Sequence, residues 1–309
     1  LRAMQRRKRP APLRIAYAMA QILLIGHVGL ALGAAALAFA VARLVGIEYR
    51  PAYSALPFLY LWPMHLLHWW GTLPRDLSLI SGPQRLFAAH RGIACVVALI
   101  ALAASLVLSA LMGPLVFGLV AFSTLLGAIY SLGHIPPGWF PGRRFRHFHQ
   151  IPGTKDLCVA LAAVMLIAIV PWVHHWVEAN GWVLPPWGGL VPLVLSAAFV
   201  FLLTLVRSVA VDFRQIESDL LLGRETLPVI LGRNRTHRMI VGILAALAIL
   251  AVGGLAVEPL RNGLILLTPV ALMGLIYGLT YAQKIRPYLL WVFLLDLPFL
   301  AAGLLALIR

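Results

Sequence analysis

The residues best suited to chemistry in this chain lie in an acidic stretch at positions 212–219, which reads Asp-Phe-Arg-Gln-Ile-Glu-Ser-Asp. The stretch holds three of the ten acidic residues of the whole chain. In a helix, Asp212, Gln215 and Asp219 share one face, whereas Glu217 turns away toward Arg214. Two carboxylates on one face can hold Mg²⁺, which typically bridges protein carboxylates to substrate phosphates and keeps several waters.

Three basic residues near the acidic stretch extend this interpretation. Arg207, Arg214 and Arg224 are close to it in sequence, and guanidinium groups bind phosphate oxygens through paired hydrogen bonds. Together these residues predict a site for a divalent cation and a phosphate group. The spacing alone is equally compatible with a solvated charged loop that forms local ion pairs.

The composition indicates which elements must position these side chains. Hydrophobic residues make up 61% of the 309 residues, charged residues 11%, and the mean hydropathy is +0.92. These values predict an all-α integral membrane protein, because helices satisfy their own backbone hydrogen bonds in lipid. Apolar runs of about 20 residues, the length that crosses a bilayer, predict nine transmembrane helices in a single polytopic domain, 1–309. The runs are 12–45, 52–72, 90–111, 114–132, 156–176, 188–208, 237–256, 262–282 and 287–308.

The basic residues predict the orientation of the spans. With the N-terminus in the cytoplasm, nearly all Lys and Arg residues fall on the inner side, as the positive-inside rule requires for an odd number of spans. We expect a multi-pass protein of the bacterial cytoplasmic membrane whose long inner loops are 73–89, 133–155 and 209–236. The net charge of +15 is explained by this topology and by anionic headgroups, and no recognition motif indicates nucleic acid.

The acidic stretch and the residues after it resemble a known family motif. Positions 223–232 read Gly-Arg-Glu-Thr-Leu-Pro-Val-Ile-Leu-Gly. With 212–219, this closely resembles the second aspartate-rich motif of the UbiA superfamily of intramembrane prenyltransferases, Asp-x-x-Asp-x-x-x-Asp followed by Gly-x-x-Thr-Leu-Pro and a later Gly. Asp212 and Asp219 match the outer acids, and Gln215 replaces the middle one. The remaining matches are Gly223, Thr226, Leu227, Pro228 and Gly232.

The resemblance implies both a fold and an activity. The fold would be a UbiA-like bundle around a central cavity that opens to lipid. The activity would be transfer of an isoprenyl group from an isoprenyl diphosphate to a lipophilic, aromatic acceptor, with loss of pyrophosphate. Asp212 and Asp219 would be the catalytic residues that bind Mg²⁺, and basic side chains would bind the diphosphate.

The first aspartate-rich motif of the family is absent from this chain. It is expected at the inner end of the second span, where residues 64–72 read Met-His-Leu-Leu-His-Trp-Trp-Gly-Thr. His65 and His68 stand where two aspartates are expected. They could hydrogen-bond a diphosphate, or join Asp212 and Asp219 around another divalent metal such as Zn²⁺. They could equally be polar packing residues.

Further candidates lie in the inner loop 133–155 and in the last span. In the family, the corresponding loop follows a tyrosine, here Tyr130, and carries basic residues that cover the diphosphate. Lys155, at the start of the fifth span, is our preferred diphosphate ligand, whereas the arginines at 143, 144 and 146 suit interfacial anchoring. Asp296 lies within the ninth span, where a charge is costly. It either has a function or satisfies backbone groups loosened by Pro298.

Two other functions remain open at this point. The loss of the first motif and the replacement at Gln215 would fit a non-catalytic UbiA-like protein that binds a prenyl lipid or serves as a partner subunit. A small-solute transporter would show repeat symmetry and interrupted helices, and only Asp296 hints at it. The sequence does not fix the oligomeric state.

Overall fold

The computed structural model describes residues 28–72, 88, 90–132, 151, 153–181, 183, 187–221, 226–257, 263–282, 284 and 288–308. Within these ranges the secondary structure is helical, without strands. The helices are α1 Val28–Leu44, α2 Pro51–Thr72, α3 Arg91–Leu111, α4 Pro114–Leu132, α5 Thr154–Asn180, α6 Trp187–Leu221, α7 Leu227–Leu231, α8 Arg233–Gly254, α9 Gly263–Tyr281 and α10 Tyr288–Leu307. A π-helical turn, Met165–Ile169, interrupts α5.

Proline and glycine set several of the helix boundaries. α2 and α4 begin at Pro51 and Pro114, where proline loses no helical hydrogen bond. Gly153 and Gly232 precede α5 and α8 with φ angles of 76° and 74°, which residues with a Cβ rarely adopt. These two positions define the entries to the helices nearest the acidic motif.

The long helices pack as a closed ring in chain order. Each one contacts the next along the chain, the short α7 joins α6 to α8, and α10 returns to pack against α1. The interface between α10 and α1 is close because Gly33 and Gly303 have no side chain. An added Cβ would lie 2.8 Å from Phe299 Cβ at Gly33, and 2.6 Å from Ala36 Cβ at Gly303.

The surface of this ring is suited to lipid. Large aliphatic side chains such as Ile93, Ile100, Val194 and Ile249 are more than half exposed, which would be costly over such an area in water. In the described part of the chain, five helices are long and apolar enough to cross a membrane, and three shorter helices are also apolar. Nine of the ten described helices are long. The count of nine transmembrane helices remains a prediction.

The structure corrects the predicted inner loop 209–236. Helix α6 does not end near residue 208 but continues to Leu221, so that the acidic stretch is helical. Its residues Val209, Ala210, Val211 and Phe213 are buried against neighbouring helices, and this packing stabilises the extra turns. Only residues 222–225 of this loop lie outside the described residues before α7 and α8 follow.

Candidate active site

The two aspartates of the acidic motif lie on the buried side of α6. Asp212 and Asp219 are each 2% exposed, whereas Glu217 is exposed. This is the arrangement that the helical spacing predicts, and it rules out the alternative of a solvated loop. A carboxylate at this depth must be compensated by hydrogen bonds or by cations.

Lys155 supplies the nearest positive charge. Its Nζ forms an ion pair with Oδ1 of Asp212 and lies 3.9 Å from Oδ1 of Asp156. Asp156 is 1% exposed and accepts a hydrogen bond from Oγ of Ser208, one turn before Asp212 on α6. The start of α5 and the end of α6 therefore form one buried polar network.

The residues that follow the acidic stretch, Thr226 and Leu227, complete this network beside Asp219. Thr226 Oγ1 donates to Asp219 Oδ2 at 3.3 Å. The next residue, Leu227, packs on Gly153, where an added Cβ would lie 3.1 Å from the leucine side chain. The Thr-Leu-Pro segment thus holds the entry of α5, with Lys155, against the acidic end of α6.

The network holds three carboxylates around the ammonium group of Lys155. Lys155 is within electrostatic range of three carboxylates, those of Asp156, Asp212 and Asp219. Oδ2 of Asp212 is buried and has no hydrogen-bond partner among the described residues. A buried carboxylate oxygen in this state favours a bound cation or donor.

The metal prediction was tested against the described side chains. Among them, no group of three or more His, Cys, Asp or Glu residues could hold a metal ion. The four predicted ligands, His65, His68, Asp212 and Asp219, therefore do not assemble such a group. The unpartnered oxygen of Asp212 and the carboxylate of Asp219 fit a hard cation that takes its other ligands from water and substrate phosphates.

The predicted histidines and Tyr130 line the α2 and α4 sides of the site. Nδ1 of His65 is 2.9 Å from the carbonyl oxygen of Leu61, and His65 is within electrostatic range of Arg207 and Lys155. The ring of His68 stacks on Tyr130 with centroids 5.8 Å apart. Tyr130 is within electrostatic range of Asp212, so that α2 and α4 both contribute to the site.

The predicted arginines differ in position. Arg207 is 3% exposed, and its Nε donates to Oδ1 of Asp296 at 3.0 Å. Asp296 therefore pairs with a charged side chain, a contact that neither of the two interpretations of Asp296 named. Arg214 is half-buried on α6, two positions after Asp212. Arg224 lies outside the described residues, as do the arginines at 143, 144 and 146.

Sequence reasoning missed two members of the network, Asp156 and Ser208. Two signals could have identified them. Asp156 is an acid at the start of an apolar span, where an unpaired charge is costly. Ser208 precedes Asp212 by four residues, which places both on one face of the helix.

Comparisons with known proteins agree with this architecture. The model of the UbiA prenyltransferase family matches residues 87–307, which is most of the chain. The chain belongs to the UbiA prenyltransferase family, and it is an integral, multi-pass membrane protein. The resemblance inferred from the motif is confirmed. No curated protein sequence matches the chain significantly.

Solved structures share the fold at low sequence identity. The apo structure of a UbiA homologue from Aeropyrum pernix K1 gives a TM-score of 0.64 and 13% identity, covering 90% of this chain and 98% of that one. A UbiA homologue from Archaeoglobus fulgidus bound to GPP and Mg²⁺ gives 0.57 and 16%, covering 94% and 100%. The homologue structure from that organism bound to DMAPP and Mg²⁺ gives 0.59 and 18%, covering 93% and 98%. The fold is therefore UbiA-like.

Proposed function

We propose that this protein transfers an isoprenyl group from an isoprenyl diphosphate to a lipophilic, aromatic acceptor within the membrane. The observation that carries the proposal is the buried network at the end of α6. There, Asp212 keeps one oxygen without a partner beside Lys155, in a bundle whose surface is apolar. Relatives with this fold bind GPP or DMAPP with Mg²⁺.

The residues of the site divide into two roles in this proposal. Lys155 and Arg214, with Arg224 and Tyr130, bind the diphosphate, because ammonium, guanidinium and phenol groups all donate to phosphate oxygens. Asp212 and Asp219 hold Mg²⁺ together with the substrate. When bound, Mg²⁺ supplies positive charge to the diphosphate as it leaves.

The reaction begins with heterolysis of the bond between C1 of the prenyl chain and its oxygen. The electron pair goes to the diphosphate, and Lys155 stabilises the negative charge that develops there. An aromatic carbon of the acceptor attacks the allylic cation, and the proton lost from that carbon passes to the pyrophosphate anion. The apolar surroundings exclude water, which would otherwise capture the cation.

The cellular setting follows from the charge distribution along the chain. With the N-terminus in the cytoplasm of a bacterial cell, the end of the bundle that carries Asp212 faces the cytoplasm, where soluble isoprenyl diphosphates are made. The chain functions as a single domain in this proposal.

A second candidate is a prenyl-lipid-binding protein without catalysis. It is favoured by one observation, namely that α2 presents His65 and His68 instead of the acids of the first motif. Such a protein would bind prenyl diphosphates with comparable affinity after Asp212→Ala and Asp219→Ala, and it would release no pyrophosphate.

The two candidates are separated by a turnover experiment. The purified full chain in detergent is incubated with Mg²⁺, labelled prenyl diphosphates of several chain lengths and a lipid extract that contains aromatic acceptors. We expect pyrophosphate release together with a labelled lipophilic product. Binding without release, across all chain lengths and with Mg²⁺, Mn²⁺ or Zn²⁺, would contradict the proposed activity and support the second candidate.

A further inference from the structure

A second buried ion pair lies apart from the network around Lys155. Nε of Arg207 on α6 donates to Oδ1 of Asp296 on α10 at 3.0 Å, and the two side chains are 4% and 2% exposed. Although α8 and α9 come between α6 and α10 in chain order, α6 and α10 also contact each other directly. The pair therefore lies in the interior of the bundle, where these two helices meet.

The ion pair leaves part of the guanidinium group available. Nη2 of Arg207 is buried and has no hydrogen-bond partner among the described residues. Guanidinium nitrogens are strong donors, and a buried donor without an acceptor is costly. Arg207 is therefore a buried cation whose Nε is bonded to Asp296 and whose Nη2 is available to donate to a ligand.

Arg207 is placed close to the proposed diphosphate site. It precedes Asp212 by five residues on α6, which is about 7.5 Å along the helix axis at a rise of about 1.5 Å per residue. His65 on α2 is within electrostatic range of both Arg207 and Lys155. Arg207 therefore lies deeper in the membrane than Asp212, and His65 is near both Arg207 and Lys155.

Asp296 is itself held by a third helix. A Cβ added at Gly29 on α1 would lie 2.8 Å from Oδ2 of Asp296, so the α1 backbone packs directly on the carboxylate. The absence of a side chain at Gly29 permits this contact. As a result, the carboxylate has little room to move, and the direction of the Arg207 side chain is fixed with it.

The two buried ion pairs each leave one polar atom available. Asp212 pairs with Lys155 through Oδ1, and Arg207 pairs with Asp296 through Nε. Oδ2 of Asp212 and Nη2 of Arg207 have no hydrogen-bond partner among the described residues. A ligand can therefore contact one anionic and one cationic atom whose side chains are already held in place.

We propose that Asp296 is a positioning residue for the substrate anion, holding Arg207 inside the ring with Nη2 directed at the diphosphate. The inference rests on the proposed function for the identity of the ligand, but its test does not require turnover. The probe is inorganic pyrophosphate, bound to the full chain in detergent in the presence of Mg²⁺. Affinity is measured by calorimetry, and folding by the thermal midpoint.

Three variants separate positioning from a purely structural role. Asp296→Asn keeps an oxygen that accepts from Nε, and we expect affinity close to that of the wild type. Asp296→Leu removes the acceptor, and we expect affinity to fall by about tenfold, the scale of a charge-assisted hydrogen bond. The double variant R207Q/D296N removes both charges together, so that neither partner is left as an uncompensated buried charge.

The double variant gives the decisive result. We expect its thermal midpoint to stay near that of the wild type while its affinity for pyrophosphate falls by about tenfold or more. Unchanged affinity in R207Q/D296N, or a wild type that does not bind pyrophosphate, would overturn the inference. If the wild type binds pyrophosphate through Arg207 but forms no prenylated product, the proposed function fails and the positioning role stands.

Discussion

The two ends of the helix bundle carry similar charged groups in different surroundings. At the end opposite the motif, Arg50 pairs with Glu178 at 2.6 Å, and these side chains are 44% and 50% exposed. Beside them, the Tyr53 hydroxyl lies 2.9 Å from Nδ1 of His174. At the motif end, the ion pair of Asp212 with Lys155 is largely buried.

The difference shows where function is to be expected. Water can replace either partner of the exposed pair, so its contribution to stability is small. At the motif end, the Asp212 side chain is 3% exposed and that of Lys155 is 32% exposed, so water reaches the ammonium but hardly the carboxylate, and Asp212 keeps an oxygen without a partner among the described residues. Buried charges that the protein leaves incompletely satisfied indicate a ligand site.

Among the changes that test this comparison, removal of divalent metal is expected to have the largest effect on pyrophosphate release. Because Lys155 is within electrostatic range of three carboxylates, chelation with EDTA should reduce pyrophosphate release by at least about a hundredfold, and added Mg²⁺ should restore it. The same buffer with Mg²⁺ and without EDTA serves as the control. Full turnover in EDTA would mean that the side chains at the motif end compensate one another's charges without a metal, as those at the opposite end do.

Replacing Lys155 tests whether its charge serves the substrate. Lys155→Met removes the ammonium, and we expect KM for the prenyl diphosphate to rise by about tenfold, the scale of a lost charge-assisted hydrogen bond. Lys155→Arg keeps the charge and should retain most of the affinity. Steady-state kinetics measures both variants. An unchanged KM in Lys155→Met would show that Lys155 only neutralises Asp212.

A smaller effect is expected from the hydroxyl that supports Asp156. Ser208→Ala removes the hydrogen bond to this buried carboxylate, and we expect kcat/KM to fall by about fivefold, which corresponds to about 1 kcal/mol. The matched control is Ser105→Ala, because that buried hydroxyl donates only within its own helix, to the Leu102 carbonyl. An equal fall of kcat/KM in the two variants would contradict the assignment of Ser208 to the site.

Much of the fold could be predicted because its signals are local. Apolar runs end at proline and glycine, so α2 and α4 begin within a residue of the predicted positions. The spacing of Asp212 and Asp219 also predicted that they share one helix face, but not that this face is buried. The length of α6 was not predicted, because a polar stretch reads as a loop until the helices that cover it are known.

The partners within the site depend on tertiary structure. Lys155 and Asp212 are 57 positions apart, and Arg207 and Asp296 are 89 apart. No local pattern specifies which helices meet in the ring. Asp296 could therefore be singled out from its depth in a span, but its pairing with Arg207 became visible only in the structure.

The central claim is that the buried carboxylates at the motif end carry out the chemistry, and one kinetic comparison tests it most directly. Pyrophosphate release under single-turnover conditions is measured for the wild type, Asp212→Asn and Glu178→Gln. We predict a loss of at least about a hundredfold for Asp212→Asn and a rate within about twofold of the wild type for Glu178→Gln. Wild-type release by Asp212→Asn, or an equal loss in both variants, would contradict the account.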